Sequence, residues 1–198
     1  MPPAFARRCG RGLAPGAAWA PAVALCGALL LAPGQTAAAE TWLLIDTGER
    51  VLQVMDGERA VHRFENIAIG RGGAASRRAR GDTQTPLGTF RISSIREETR
   101  YHRFFGINYP ALDDALRAHA SGKIDDAELA AIRRAHELGR EPPASTPLGG
   151  NIGIHGLGAG DPRVHEDFNW TDGCIALTNE QVDELSQWVR PRMIVVIR

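Results

Sequence analysis

The stretch from Asn151 to Asn179, NIGIHGLGAGDPRVHEDFNWTDGCIALTN, constrains this chain more than any other. Ile152 and Ile154 read as a short strand ending on His155-Gly156, a polar loop follows, and Gly173-Cys174-Ile175 leads into a second apolar run. A cysteine set between a glycine and an apolar run can be held with its sulfur exposed at the edge of a packed scaffold. A histidine rising from the same scaffold can take its proton.

The compartment bears on that cysteine. Arg7, Arg8 and Arg11, with no acid among them, precede an apolar stretch from Ala17 to Leu31, and the small triplet Ala37-Ala38-Ala39 stands before Glu40. This is the pattern of a secretory signal over residues 1–39 with cleavage after Ala39, which predicts an exported or periplasmic protein. The apolar run is shorter than the ~20 residues a membrane-spanning helix needs, and Pro33 and Gly34 break it. A lipoprotein site at Cys26 is the weaker reading, because the bulky Leu25 precedes it. Cleavage would carry away Cys9 and Cys26 and leave Cys174 as the sole thiol. An unpaired thiol in an oxidising compartment points to a reactive use. The bland alternative is a buried cysteine acting as a small hydrophobe.

Residues 40–198 are the size of one domain with its own core. Basic and acidic residues balance at 23 each, so nothing calls for nucleic acid. Thr41–Asp46 and Arg50–Met55 read as a β-hairpin around Thr47-Gly48-Glu49, and Asp56-Gly57 turns into a longer strand over Arg59–Gly70. Arg71–Thr85 has no periodicity and reads as a surface loop, with Arg77, Arg78 and Arg80 solvated on it. Thr85–Ile92 is a turn running into another strand. From about 96 to 145 the pattern turns helical: Asp113-Asp114 can cap a helix carrying Leu112, Leu116 and Ala120, and Asp125-Asp126 a second with Leu129 and Ile132. This insertion is expected to form a lid or one wall of a substrate cleft, with Tyr101, Phe104, Phe105, Asn108 and Tyr109 at its start. Thr178 and Gln181 make a capping box for a helix buried through Val182, Leu185 and Val189. Met193–Ile197 is a final strand, apolar on both faces and hence interior. The fold class is therefore mostly β with small helices.

The chemistry follows from the thiol. A cysteine of ordinary pKa is mostly protonated at neutrality and needs a base or cation to become a nucleophile. His155 is the candidate base. A backbone carbonyl or Asp172 is available to orient its second nitrogen, and amides around Gly173 and Cys174 can form an oxyanion hole. The competing use of the same residues is a metal site of Cys174, His155 and His165 with Asp161, Glu166 or Asp167, but the spacings match no compact ligand pattern. His165 otherwise reads as solvated in an acidic loop.

Taken together, Thr85-Pro86-Leu87-Gly88-Thr89-Phe90, Ile154-His155-Gly156 and Thr171-Asp172-Gly173-Cys174-Ile175-Ala176-Leu177 resemble the L,D-transpeptidase catalytic domain of the YkuD type over essentially all of residues 40–198. The order of histidine before cysteine argues against papain-like and NlpC/P60-like hydrolases. The resemblance implies a YkuD-like β-sandwich that works on peptidoglycan outside the cytoplasm. It implies Cys174 as nucleophile, His155 as base, the Gly156 carbonyl as orienter of the ring, and the Gly173 and Cys174 amides as oxyanion donors. Thr171, Asp172, Asn108 and Tyr109 are the expected substrate-binding residues. No cofactor and no metal are implied. The expected reaction releases D-alanine from a tetrapeptide stem, holds the stem as a thioester, and passes it to an amine of another stem or to a lipoprotein lysine. Water as acceptor gives an L,D-carboxypeptidase or a hydrolase of cross-links or lipoprotein links, and an inactive wall-binding module is the third reading. The family often has histidine where this chain has Asp172, which alters the local electrostatics, and arginine where it has Ala176; without that arginine, donor recognition either differs or falls to Arg100, Arg103 or another residue.

Overall fold

A computed structural model describes residues 40–198; the expected signal segment lies outside the described residues. The chain begins as a meander, β1 (Thr41–Asp46), β2 (Val51–Asp56) and β3 (Arg59–Glu65), followed by two short strands, β4 (Ala74–Ala75) and β5 (Thr85–Pro86). A long strand, β6 (Gly88–Thr99), turns into β7 (His102–Ile107). Helices α1 (Leu112–Ala120) and α2 (Asp126–Glu137) come next, then β8 (Gly153–His155), α3 (Pro162–Asp167), β9 (Ile175–Ala176), α4 (Asn179–Ser186) and β10 (Ile194–Ile197).

Eight strands join in the order β3-β2-β1-β10-β6-β7-β8-β9. The length of β6 makes this possible: Gly88–Arg91 pairs with β10, and Ile92–Thr99 pairs with β7. The two ends of the sheet then meet. Ala68 exchanges backbone bonds of 3.0 and 2.8 Å with Ala176, and Gly70 bridges to Thr171. The sheet is thereby folded over into two layers around one apolar core. Leu43, Ile45 and Leu52 from one half share that core with Phe105, Ile154 and Ile175 from the other. Burying each such side chain is worth ~1.5–3 kcal/mol. Strand β10 lies in the middle of the sheet, as its two-sided apolar pattern predicts. Helix α4 closes the core with Val182 and Leu185, and Thr178 caps it, accepting from the Gln181 amide while Gln181 Oε1 accepts from the Thr178 amide.

Several expectations are corrected. Strand β3 stops at Glu65 because Asn66 takes a left-handed backbone (φ 58°), and residues 67–70 turn away to meet β9. Residues 96–107 are not helical: they complete β6 and form β7, so the helical insertion begins after them. Its first helix starts at Leu112, and Asp114 bonds back to the Ala111 amide from inside the first turn. Leu112 and Leu116 lie on its exposed side, while Ala115 and Ala118 pack with Ile124, Leu129, Ile132 and Leu148 in a separate small core. The small alanines let the two helices approach; the leucines were the more visible apolar pair in sequence but face outward. Arg78 and His165, read as solvated, are both buried.

This packing yields a stability contrast. Ile45→Ala, at a fully buried position of β1, is expected to cost about 2–5 kcal/mol in denaturant unfolding. Leu116→Ala should change stability by less than about 0.5 kcal/mol. Equal costs at the two positions would contradict the assignment of core and surface.

Candidate active site

Strands β8 and β9 run parallel, with Ile154 opposite Ile175 and His155 opposite Ala176. Side chains alternate along a strand, and partnered residues share a face. Cys174, two residues before Ala176, therefore projects to the same face as His155. Both line one cleft of about 680 Å³. Its other walls include Arg96 on β6, Arg100 and Tyr101 at the β6–β7 turn, Phe104 and Trp170.

The imidazole is fixed on several sides. His155 Nδ1 lies 2.7 Å from the Gly156 carbonyl oxygen. A carbonyl can only accept, so Nδ1 carries the proton and the neutral ring keeps its lone pair on Nε2. Tyr101 stacks on the ring at 4.3 Å between centroids, Phe104 lies parallel to it at 5.9 Å, and Trp170 meets it edge-on at 5.9 Å. Gly156 is required by close packing: a Cβ there would lie 2.7 Å from Asn179 Oδ1 and 2.9 Å from the Tyr101 carbonyl oxygen.

The cysteine is held by its loop. Gly173 has φ +123°, a region closed to ordinary side chains, and any Cβ would come within 2.6 Å of the Gln84 carbonyl oxygen. The Thr171 hydroxyl donates to the Cys174 carbonyl at 2.6 Å and accepts from the Gly173 amide at 3.1 Å. Thr171 is buried, and its hydroxyl is committed to holding the turn. The same bond occupies the Gly173 N–H, which the resemblance offered as an oxyanion donor. Among the described residues the Cys174 amide makes no such bond, so it is the donor left over in this loop. The thiol donates to the Asn151 carbonyl at 3.5 Å.

Of the remaining expected substrate-binding residues, only Asp172 lines the cleft, exposed and paired with Arg71 at 2.9 Å. Asn108 instead joins β6 to α2, accepting from the Arg91 amide at 2.7 Å and contacting His136 at 3.2 Å. Tyr109 is buried, its hydroxyl donating to the Leu148 carbonyl. Neither reaches the cleft. Arg103 is taken up by Asp183 and Glu97. Trp170 and Asn151 went unrecognised in sequence; the only signal for Trp170 was an aromatic next to Thr171. His165, far from solvated, accepts from the Trp170 indole N–H at 3.4 Å. Among the described residues no three His, Cys, Asp or Glu side chains are grouped to hold a metal ion.

Electrostatics set the resting state. Burial pushes the His155 imidazole down to about 4, with the Gly156 bond opposing and His165 and Arg100 adding to the fall. Burial pushes the Cys174 thiol up to about 11; the Gly153 amide, Arg78 and Arg96 oppose it, and Asp172 reinforces it. At neutral pH the pair is thus thiol and neutral imidazole, not a preformed thiolate–imidazolium ion pair. Iodoacetamide should accordingly alkylate Cys174 more slowly than free cysteine at pH 7, with the rate rising about tenfold per pH unit. A thiolate already formed below about pH 5 would contradict this state.

Comparison with known proteins places this geometry. Two solved structures with low sequence similarity share the fold: the helical cell shape determining protein Pgp2 of Campylobacter jejuni (22% identity, TM-score 0.57, 80% of this chain and 47% of that one) and Bd1075 of Bdellovibrio bacteriovorus (17%, 0.52, 83% and 50%). The chain spans about half the length of each. No curated protein matches the sequence. The family model of the L,D-transpeptidase catalytic domain, YkuD, matches residues 40–197, which leaves out only the first 39 residues and the last, and the chain belongs to that family.

Proposed function

We propose that this protein is an exported cysteine acyltransferase that acts on peptidoglycan stem peptides as an L,D-transpeptidase. The observation that carries the reading is the Nδ1–H bond to Gly156, which leaves His155 Nε2 as the free base in the same cleft as the Cys174 sulfur. His155 takes the thiol proton as sulfur attacks the carbonyl between the L-centre of the diamino acid and the terminal D-alanine. The Cys174 amide donates to the oxyanion. Collapse returns the proton from His155 to the leaving amine, D-alanine departs, and the stem remains as a thioester. An incoming amine then attacks the thioester and gives its proton to His155, the C–S bond breaks, and His155 returns that proton to the departing Cys174 sulfur.

Recognition of the stem's terminal carboxylate is assigned to Arg100. Around the cleft, Arg96 pairs with Glu141 at 3.2 Å and Asp172 pairs with Arg71. Arg100 bonds only the Tyr101 hydroxyl, at 2.6 Å, and lies 4.6 Å over that ring. It is the cleft cation without a carboxylate partner among the described residues. The fold shared with a cell-shape protein of Campylobacter jejuni supports a role in remodelling the wall. The signal pattern over residues 1–39 supports export.

Incubation with tetrapeptide muropeptides, followed by mass spectrometry of products and intact protein, tests the reading. The wild type should form stem dimers and gain mass with a carbapenem, Cys174→Ala should lose both, and Arg100→Gln should raise KM for the tetrapeptide several-fold. Tripeptides alone would assign water as acceptor. Full activity in Cys174→Ala would overturn the nucleophile, and wall binding without acyl-enzyme would mark an inactive module.

A further inference from the structure

Arg78 is a buried cation that the reaction above does not use. It is 7% exposed, on the loop before β5. Its guanidinium carbon lies 4.9 Å from the centre of the Tyr109 ring, and Nε is 3.4 Å from Asp82 Oδ1. Neither Nε nor Nη1 makes a hydrogen bond among the described residues. The Asp82 carboxylate is itself shared, accepting from the amides of Ala79 and Gln84. A guanidinium kept from water with unsatisfied donors is costly to bury. What it faces gives that cost a use: Nη1 would lie 3.4 Å from a Cβ placed on Gly173, so the charge borders the residue that precedes Cys174.

We propose that Arg78 is a positioning residue for Cys174: a fixed positive charge bordering the nucleophile's loop that stabilises the sulfur as its proton passes to His155 Nε2. The S–H bond breaks, the N–H bond forms, and the negative charge on sulfur develops in the field of the guanidinium. The inference rests on Cys174 being the nucleophile. Four charged or titratable groups bear on that sulfur: His155 from β8, Arg96 from β6, Asp172 from its own loop, and Arg78 from the loop before β5. Asp172 is exposed and tied to Arg71, and Arg96 is exposed and tied to Glu141. Arg78 is the buried cation, so water and salt screen it least. Its charge acts in the direction that eases thiol ionisation, against burial and Asp172. Tyr109, expected in sequence to bind substrate, instead supplies the platform on which this guanidinium rests.

The test compares Arg78→Lys with Arg78→Gln, which place a charged or a neutral polar head in the same space, and follows Cys174 alkylation by iodoacetamide against pH. Arg78→Gln should move the profile up by about one pH unit and slow carbapenem acylation about tenfold, while Arg78→Lys recovers most of both. Identical profiles for wild type and a folded Arg78→Gln, or equal shifts in the two variants, would overturn the proposal. Should a variant fail to fold, the wild type carries the test: its profile should stay in place between low and molar salt. A profile that moves with salt assigns the effect to the exposed charges and overturns the role of Arg78. Alkylation needs no turnover, so a protein without transpeptidase activity can still support or defeat this inference.

Discussion

The parallel pairing of β8 with β9 is the constraint on which the site depends. It brings a strand end carrying His155 beside a loop–strand junction carrying Cys174, across the loop that separates them, and fixes them by main-chain bonds to the same face. Holding β9 in place takes the whole sheet. β9 is bonded on one side by β8 and on the other by the segment after β3, so the first and last parts of the sheet meet beside Cys174. The core between the layers is therefore also the support of the His155–Cys174 geometry. A change that loosens the closure at Ala68 and Ala176 acts on Cys174 without touching it.

Around that pairing, the surroundings of the two side chains favour their neutral forms. Aromatic rings cover the imidazole, and burial opposes charge on both histidine and cysteine. A neutral thiol is a poor nucleophile and also a less susceptible target for oxidation. In the proposed mechanism, reactivity then depends on groups that act while charge is developing: the free Nε2, the Cys174 amide and the Arg78 guanidinium. The hydroxyl of Thr171 keeps two of the loop's polar groups engaged, so the turn holds its shape before substrate arrives.

Much of this was legible in the sequence because it is local. Alternation and turn residues announced the opening hairpin, the Thr178 box announced α4, and a two-sided apolar run announced a central strand. His155, Gly156, Gly173 and Cys174 stood out because their chemistry and close packing demand particular residues. What was illegible was non-local. Nothing near Asn66 says that a left-handed residue will end β3 and send the chain to a distant strand. The extension of β6 through Arg96–Thr99 is polar and charged and has no strand periodicity of its own; pairing with β7 makes it a strand. Asn108 and Tyr109 were assigned to substrate because they are polar aromatic-rich neighbours of the insertion, yet tertiary packing turns them to α2 and Arg78. The burial of Arg78 and His165 could not be read from a basic cluster and an acidic loop, since each depends on what packs over it.

The central claim is that a neutral His155, protonated on Nδ1 and bonded to Gly156, waits with Nε2 free to take the thiol proton. Nitrogen NMR of the histidine ring in the full folded protein reads this directly. The account predicts that His155 is a single neutral tautomer with its proton on Nδ1 at pH 6 and above, where an ordinary histidine near 6.5 is still partly charged. A ring protonated on Nε2, or one carrying both protons at neutral pH, would contradict it.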